Sequence, residues 1–294
     1  MPTSPDAVLT VVLAAALGLA GIPVGRATGR MVPLFVRHDP APDDDSGPPP
    51  PTCPHCGTEI PFLRWLPLPR PVGFLWHGRC PACAATVPTS AATAWTTAAV
   101  FAAAGYTAGA GLGMAGSGWV ALVALLFLGA LGAVLSVIDV RVHRLPDVLV
   151  LRSYVVAAPL VLGGILTAPH LGGPGDLVGG VGPAAAAAPG VAAGALIGMA
   201  ALAAFYFLLW FIYPAGMGWG DVKLSGLLGL YLGWQSLSSV VSGTFLAFLL
   251  SSAVGLSLMA LGRATRKTQL AFGPFMIVGA LAVVLVGDPL PLLI

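Results

Sequence analysis

The sequence has little charge. Of its 294 residues, 13 are Lys or Arg and 11 are Asp or Glu, so 8% of the chain is charged. Soluble globular domains are about 25% charged, and this composition therefore excludes an ordinary soluble fold. Disorder is excluded too, because 57% of the residues are hydrophobic and disordered chains have low hydrophobicity. The net charge of +2 is too small and too dispersed to indicate nucleic-acid binding.

What the sequence has instead is long apolar runs. A bilayer core roughly 30 Å thick needs about 20 apolar residues of helix. The sixth run is short and Gly-rich, so we expect it to be tilted, half-inserted or merged with its neighbour. The sequence predicts an all-α polytopic membrane protein with about eight transmembrane helices. These spans lie near 7–25, 91–112, 119–138, 148–168, 190–213, 223–237, 239–261 and 271–290.

The basic residues predict the orientation of these spans. With eight spans, all 13 Lys and Arg residues fall on one side of the membrane, and the other side, including the 169–189 connection, has none. By the positive-inside rule the basic side is cytoplasmic, so the protein is expected in the cytoplasmic (inner) cell membrane. The charges follow the first span instead of preceding it. We therefore expect a retained anchor there and not a cleaved signal peptide.

The only long segment without a span, residues 26–90, holds all four cysteines. They form two C-x-x-C pairs, Cys53 with Cys56 and Cys80 with Cys83, separated by 23 residues. Four thiolates in paired loops make a tetrahedral shell for a structural Zn²⁺ ion and leave no open position for catalysis. The spacing slightly exceeds the usual range of about 15–20 residues. Two disulfides are the alternative, which a reducing cytoplasm disfavours.

Few acidic residues lie near the predicted spans, and they are the candidates for chemistry, because ionisable groups in a membrane are costly. Asp139, Asp147 and Asp221 lie at cytoplasmic ends of spans. Two carboxylates at one membrane-edge site would share a proton. One could then activate water while the other polarises a carbonyl. Gly218 and Gly220 would let the backbone turn tightly beside Asp221. The alternative is that these acids are solvated or pair with a nearby Arg or Lys.

Four blocks of sequence resemble, in order, those of the prepilin peptidases (type IV leader peptidases), which are membrane aspartic proteases of the GxGD type. The blocks are the twin C-x-x-C loop, Ile138-Asp139 with Leu145-Pro146-Asp147, Gly218-x-Gly220-Asp221-x-Lys223, and Phe272-Gly273-Pro274-Phe275. The resemblance implies that Asp139 and Asp221 are catalytic and that Asp147 is not part of the pair. In agreement, one continuous helix would place Asp147 roughly 12 Å from Asp139. Presenilin and signal peptide peptidase resemble the chain less, because they use Tyr-Asp and Pro-Ala-Leu motifs.

The resemblance also implies a function and a division of the chain. Family members cleave the short basic leader from type IV prepilins or pseudopilins at the cytoplasmic membrane edge. Residues 1–90, with the first span and the cysteine loop, resemble the methyltransferase half. Residues 91–294 would then form the transmembrane aspartic peptidase domain. We expect Lys223, with Gly218, Gly220 and Asp147, to support the loop or the substrate, with a plain interfacial lysine as the alternative.

The chain departs from the family in the methyltransferase half. The Arg-Tyr-Pro block and the Glu that usually follow the second C-x-x-C pair are absent from residues 87–95, and no Ser-Phe-x-Asn stretch follows the first span. The sequence therefore favours the peptidase over the methyltransferase, and S-adenosylmethionine is a cofactor only if the methyltransferase is active. A second hypothesis is a non-enzymatic, zinc-stabilised membrane assembly or transport subunit. Transporters usually carry mid-bilayer acids and inverted repeats, and neither is visible here.

Overall fold

A computed structural model describes residues 5–36, 49–113, 117–167, 188–263, 265, 268 and 270–288. Within these residues the chain is helical, with three isolated β-bridges and no strand. Eight long helices match the eight predicted spans, which confirms the all-α fold. The helices are α1 Pro5–Gly29, α2 Gly73–His77, α3 Ala91–Gly109, α4 Trp119–Val142, α5 Asp147–Thr167, α6 Ala188–Ile212, α7 Trp219–Gln235, α8 Leu237–Ala260 and α9 Gly273–Val286. Most of the 169–189 connection, Arg37, Arg266 and Lys267 lie outside the described residues.

The helices differ in their ability to cross a bilayer alone. Among the described residues, five segments are long and apolar enough to do so, which makes the chain a multi-pass membrane protein. α9 is apolar but has only 14 residues. α7 has 17 residues and begins with a charged first turn, as expected for a short sixth span. The five segments are Ala7–Leu34, Trp119–Val142, Asp147–Thr167, Pro189–Ile212 and Leu237–Ala260.

Seams of small residues hold pairs of helices close together. α1 lies along α3, where a Cβ atom added to Gly21 would come within 2.7 Å of the Cα atom of Ala98. α6 and α7 meet in the same way, and a Cβ atom on Gly198 would lie 2.6 Å from the carbonyl oxygen of Gly229. Helices in lipid associate through this kind of close backbone packing. The short α7 is thereby fixed against the longer α6.

Contacts between helix termini show which ends lie together. Three hydrogen bonds or ion pairs join termini at one end of the bundle, which we call the charged end: Thr89 to Arg26, Gly273 to Asp139 and Lys223 to Asp147. At the opposite end the Ser242 hydroxyl donates to Asp288, with 2.5 Å between the oxygens. The acids singled out from the sequence therefore lie at one end of the fold.

α4 does not continue to Asp147. His143 has a left-handed φ of 50°, and its N–H donates to the Asp139 carbonyl at 2.8 Å, which ends the helix. Leu145 and Pro146 are buried in the turn that follows, and α5 begins at Asp147. The break agrees with the separate spans predicted near 119–138 and 148–168, and the distance of roughly 12 Å from Asp139 to Asp147 that one continuous helix would give does not apply.

Candidate active site and metal centre

Asp139 lies one turn before the end of α4 and is 5% exposed. Its Oδ2 atom accepts a hydrogen bond from the backbone N–H of Gly273, at 3.0 Å. Gly273 is the first residue of α9, where backbone N–H groups have no partner within the helix and favour an anion. A Cβ atom at Gly273 would lie 2.8 Å from the same Oδ2 atom. Glycine here lets the backbone approach the carboxylate, and the Phe-Gly-Pro-Phe block thereby gains a physical role.

Asp221 is the third residue of α7 and is 8% exposed. Its N–H donates to the carbonyl of Gly218 at 3.0 Å, so the GxGD sequence forms the turn that starts the helix. A Cβ atom at Gly218 would lie 3.4 Å from the Oδ2 atom of Asp221. The first glycine thus leaves open space against one face of the carboxylate.

The structure brings Asp139 and Asp221 into one site, which we call the carboxylate site. The charge of Asp139 is close enough to interact electrostatically with Asp221. Leu145, from the turn between α4 and α5, packs against the backbone near both. A Cβ atom at Gly220 would lie 2.7 Å from the Leu145 Cβ atom, and one at Gly273 would lie 3.4 Å from Leu145 Cδ1. The Leu-Pro-Asp block closes the site from one side.

Lys223 and Asp147 pair with each other beside the carboxylate site. The lysine Nζ atom lies 2.7 Å from Oδ2 of Asp147, and the two side chains are 17% and 57% exposed. The Tyr154 hydroxyl donates to the Lys223 carbonyl at 2.7 Å, which adds a second link between α5 and α7. Lys223 therefore has an ion-pair partner on the neighbouring helix, and Asp147 lies in that pair.

Tyr206 is a neighbour of the carboxylate site that sequence reasoning missed. It lies on α6, is 1% exposed and is close enough to Asp221 to interact electrostatically. Its ring stacks on Phe248, with centroids 6.1 Å apart and planes 11° from parallel. The ring of Phe272, next to Gly273, is also 6.1 Å away. A tyrosine in a run of apolar residues carries no motif that would have identified it.

The four cysteines form two knuckles of the same shape within residues 49–90, which we call the cysteine loop. In each knuckle the N–H of the first cysteine donates to a carbonyl five residues on: Cys53 to Thr58 at 2.9 Å and Cys80 to Ala85 at 3.0 Å. The residue after the second cysteine has a left-handed backbone, with φ of 71° at Gly57 and 57° at Ala84. This repeated turn points both sulfurs of each pair to a common centre.

The sulfur geometry fits a tetrahedral metal ion. All four sulfurs lie within 4.8 Å of one another. The Cys53–Cys83 and Cys56–Cys80 sulfurs are 3.9 and 3.8 Å apart, and a tetrahedron with Zn–S bonds of about 2.3 Å has edges of about 3.8 Å. The cysteines are free and not disulfide-bonded. The described residues offer these four ligands and no fifth, and a metal ion held by all four sulfurs would have no open coordination position.

Two of the ligand thiols have pKa values shifted in opposite directions. The Thr58 hydroxyl and then its backbone N–H stabilise the thiolate of Cys56 and lower the pKa of that thiol to about 6. At Cys83 the Ala85 N–H favours the thiolate, but desolvation and the neighbouring sulfurs outweigh it and raise the pKa to about 11. A divalent cation would remove this opposition, because it attracts all four thiolates.

Comparison with known proteins agrees with the geometry. The type IV leader peptidase family matches residues 125–261, a region that includes both buried aspartates. A prepilin leader peptidase/N-methyltransferase of Aeromonas hydrophila is 31% identical over 245 residues, which cover 80% of this chain and 71% of that protein. Proteins of the same name from Burkholderia pseudomallei strain K96243 and Pectobacterium carotovorum subsp. carotovorum are 31% and 32% identical. The two alignments cover 82% and 79% of this chain. They cover 69% and 72% of the respective relatives.

No solved structure matches the chain at a significant level. The relatives nevertheless match over most of this chain and over most of their own length. The match confirms the resemblance seen in the motif blocks. This chain belongs to the type IV leader peptidase family.

Proposed function

We propose that this protein cleaves the short basic leader from type IV prepilins or pseudopilins, with Asp139 and Asp221 as the catalytic dyad. The observation that carries the proposal is the meeting of these two buried carboxylates at the charged end of a membrane bundle. A non-enzymatic transport or assembly subunit is not favoured, because the family and its relatives are peptidases by name. The substrate class follows from the names of those relatives.

The dyad chemistry uses one ionised and one protonated carboxylate. The ionised carboxylate takes a proton from a water molecule, whose oxygen attacks the scissile carbonyl carbon, while the protonated one gives its proton to the carbonyl oxygen. The tetrahedral intermediate then loses its C–N bond as the first carboxylate passes the proton to the leaving amine. The hydroxyl proton of the intermediate returns to the second carboxylate, which restores the dyad. The Gly273 N–H, held at 3.0 Å from Asp139, fixes one of the two carboxylates throughout.

Gly218 and Gly220 shape the approach to this dyad. Gly220 lets α7 pack on Leu145, and Gly218 leaves one face of the Asp221 carboxylate without a side chain. A substrate strand next to Gly218 could reach the carboxylate closely. The Lys223–Asp147 pair supports the two helix starts from the side.

The position of the dyad suits a substrate that is itself a membrane helix. The carboxylates lie at an end of the bundle, where a leader would leave the lipid before the apolar helix of its pilin. The described basic residues gather at this end, so by the positive-inside rule we place it at the cytoplasmic face of the inner membrane. Leader and dyad then meet at the same depth.

We assign the cysteine loop a structural zinc ion and regard residues 1–90 as the counterpart of the methyltransferase half. The sulfur tetrahedron supports zinc, which would hold the two knuckles together when bound. The relatives' names include N-methyltransferase, and methyl transfer would require S-adenosylmethionine. This chain lacks the Tyr-Pro and Glu features after Cys83, so we propose peptidase activity as its principal reaction. An added methyl mass on the cleaved pilin would reverse that order.

The test is cleavage of a reconstituted prepilin whose basic leader ends in Gly before an apolar helix. We expect Asp139→Asn and Asp221→Asn each to lower the rate by about 10³-fold or more, because neither can exchange a proton as a carboxyl does. Asp288→Asn is the matched control, since Asp288 lies at the opposite end and an amide oxygen can still accept from Ser242. Loss of the leader would be followed by mass spectrometry. Full cleavage by either dyad variant would overturn the proposal.

A further inference from the structure

The cysteine loop carries a hairpin between its two knuckles. Phe62 and Pro69 form a bridge, and the N–H of Leu63 donates to the carbonyl of Leu68 at 2.8 Å. The N–H of Arg70 donates to the carbonyl of Pro61 at 2.7 Å, which closes the base. Phe62 and Pro69 are buried, whereas Arg64, Trp65 and Leu66 between them are exposed. The hairpin therefore holds its turn away from the core of the loop.

The turn of this hairpin, Arg64–Leu66, exposes an unusual combination of side chains, and we call it the tip. Trp65 is 62% exposed and Leu66 37% exposed. The Arg64 guanidinium lies 5.0 Å from the centroid of the Trp65 ring. The loop has an apolar core of its own, in which Ile60 and Phe74 are almost fully buried. The tip residues are therefore exposed even though the loop has an apolar core.

The cysteine loop is tied to the membrane helices at both ends. The N–H of Thr52 donates to the carbonyl of Leu34 at 3.0 Å, just after α1. The Thr89 hydroxyl donates to the carbonyl of Arg26 at 2.7 Å, just before α3 begins. With both ends fixed where helices leave the bilayer, the loop lies beside the lipid surface.

The charge of the loop selects the kind of surface. Residues 49–90 contain Arg64, Arg70 and Arg79 and a single acid, Glu59. Acidic phospholipid headgroups attract Arg and Lys near a membrane by about 1 kcal/mol per residue. Tryptophan is enriched at membrane interfaces, because its ring is apolar and its N–H is polar. An arginine beside an exposed tryptophan thus suits a lipid surface, where the arginine meets the acidic headgroups and the tryptophan lies at the membrane interface.

We propose that the tip docks on acidic phospholipids of the adjacent leaflet, with Trp65 and Leu66 in the interface and Arg64 on a lipid phosphate. The proposed substrate is a poorer occupant, because its leader is basic and the loop is basic too. A second copy of the chain would bring the same charge against itself. Docking would fix the cysteine loop beside the bundle, where Arg144 already donates to the Pro49 carbonyl at 3.0 Å. This inference goes beyond leader cleavage and does not require it.

The experiment uses the full-length protein in nanodiscs that contain lipids with brominated chains, which quench nearby tryptophans. One disc carries phosphatidylcholine alone and the other includes phosphatidylglycerol. Trp65 is one of seven tryptophans, and its emission should be quenched by the brominated chains. We therefore expect Trp65→Phe to lower the fraction of the total emission that the lipid quenches, and this decrease to be larger with phosphatidylglycerol. Arg64→Gln should abolish that dependence on the acidic lipid. Both positions are exposed, so both variants are expected to fold.

Equal quenching of the wild type and Trp65→Phe in both discs would overturn docking. Hydrogen exchange of residues 63–68 supplies a second measurement. Protection of this segment by acidic lipid supports the proposal. Protection that instead requires added prepilin, or that grows with protein concentration, would assign the tip to a substrate or to a second copy and overturn it. Asp221→Asn should show the same lipid quenching while lacking cleavage, so the failure of one proposal is separable from the failure of the other.

Discussion

The contacts that stabilise the cysteine loop are local in sequence, whereas those that stabilise the carboxylate site join residues far apart in sequence. Within a knuckle, Cys53 bonds to Thr58 and Gly57 to Cys53, all within six residues of sequence. The carboxylate site joins Asp139 to Gly273, which are 134 residues apart, and joins both to Asp221 through Leu145. The contacts within each knuckle are local in sequence, whereas the carboxylate site exists only after α4, α7 and α9 have packed.

Because their contacts differ in range, we expect the two regions to fail separately. A defect in the loop changes metal content and local order, and it leaves the helix contacts at the dyad intact. A defect in the helix contacts changes cleavage and leaves the metal in place.

Removal of the metal ligands should have the largest effect on the loop. We expect Cys53→Ser and Cys80→Ser to lose bound zinc and to become protease-sensitive over residues 49–90. A structural zinc can contribute on the order of 10 kcal/mol to the folding of a small domain. Leader cleavage should fall far less than it does in the Asp139→Asn variant. Metal analysis and limited proteolysis measure the first effect, and mass spectrometry of the substrate measures the second.

His55→Ala is the control for these cysteine variants. Its Nε2 atom lies 3.3 Å from the Thr86 carbonyl, and it is outside the four-sulfur set, so metal should stay bound. If loss of metal also abolished cleavage while the bundle stayed folded, the two regions would not be independent.

The next largest effect should come from a methyl group at the carboxylate site. In Gly273→Ala the new Cβ atom would lie 2.8 Å from Oδ2 of Asp139, so the carboxylate must shift and its hydrogen bond weakens. A misplacement of about 1 Å can cost about 10²-fold in rate. We expect kcat/KM for leader cleavage to fall by about 10- to 100-fold with zinc content unchanged.

Gly255→Ala on α8 is the matched glycine control. Nothing lies within 4 Å of a Cβ atom added there, so the substitution meets open space. It should leave cleavage unchanged and raise helix stability by up to about 1 kcal/mol. Equal cleavage rates for the Gly273→Ala variant and this control would show that the close approach of the Gly273 backbone to Asp139 does not affect catalysis.

The same contrast in range explains what the sequence could predict. Two C-x-x-C pairs predict four neighbouring sulfurs, because each pair is local and four thiolates suit one metal. Apolar runs predicted eight helices, since hydropathy is also local. The carboxylate site needed more, because composition left Asp139, Asp147 and Asp221 as equal candidates at the same membrane edge. The order of the motif blocks separated them, and the Lys223–Asp147 pair agrees with that separation.

Other features of the carboxylate site had no local signal. Leu145 and Tyr206 are ordinary residues of a turn and of an apolar helix, and only packing reveals that they lie beside the aspartates. The predicted spans near 119–138 and 148–168 do contain the break between α4 and α5, but no local signal predicted that His143 would end α4 with a left-handed φ. Contacts between distant elements account for these misses.

A smaller effect should separate the two knuckles from each other. Gly57 and Ala84 occupy equivalent positions with left-handed φ, and this conformation costs a residue with a Cβ atom roughly 1 kcal/mol. We expect Ala84→Gly to stabilise the loop and Gly57→Ala to destabilise it by about that amount. The space around Gly57 is open, so no clash confuses the second result. Metal dissociation rates in the presence of a chelator would measure both, and equal rates for the two variants would contradict a cost of the left-handed backbone at these positions.

The smallest effect should come from the Lys223–Asp147 pair, which ties the start of α5 to α7 by charge. Asp147 is 57% exposed, and exposed ion pairs contribute about 0.2–1 kcal/mol and are weakened by salt. In a double-mutant cycle of Lys223→Met and Asp147→Asn, we expect a coupling free energy below about 1 kcal/mol in thermal unfolding. Each single variant should slow cleavage by the same few-fold factor, because each breaks the same support. If Lys223→Met abolished cleavage while Asp147→Asn did not, the lysine would act on the substrate itself, and the carboxylate site would extend to the surface of α7.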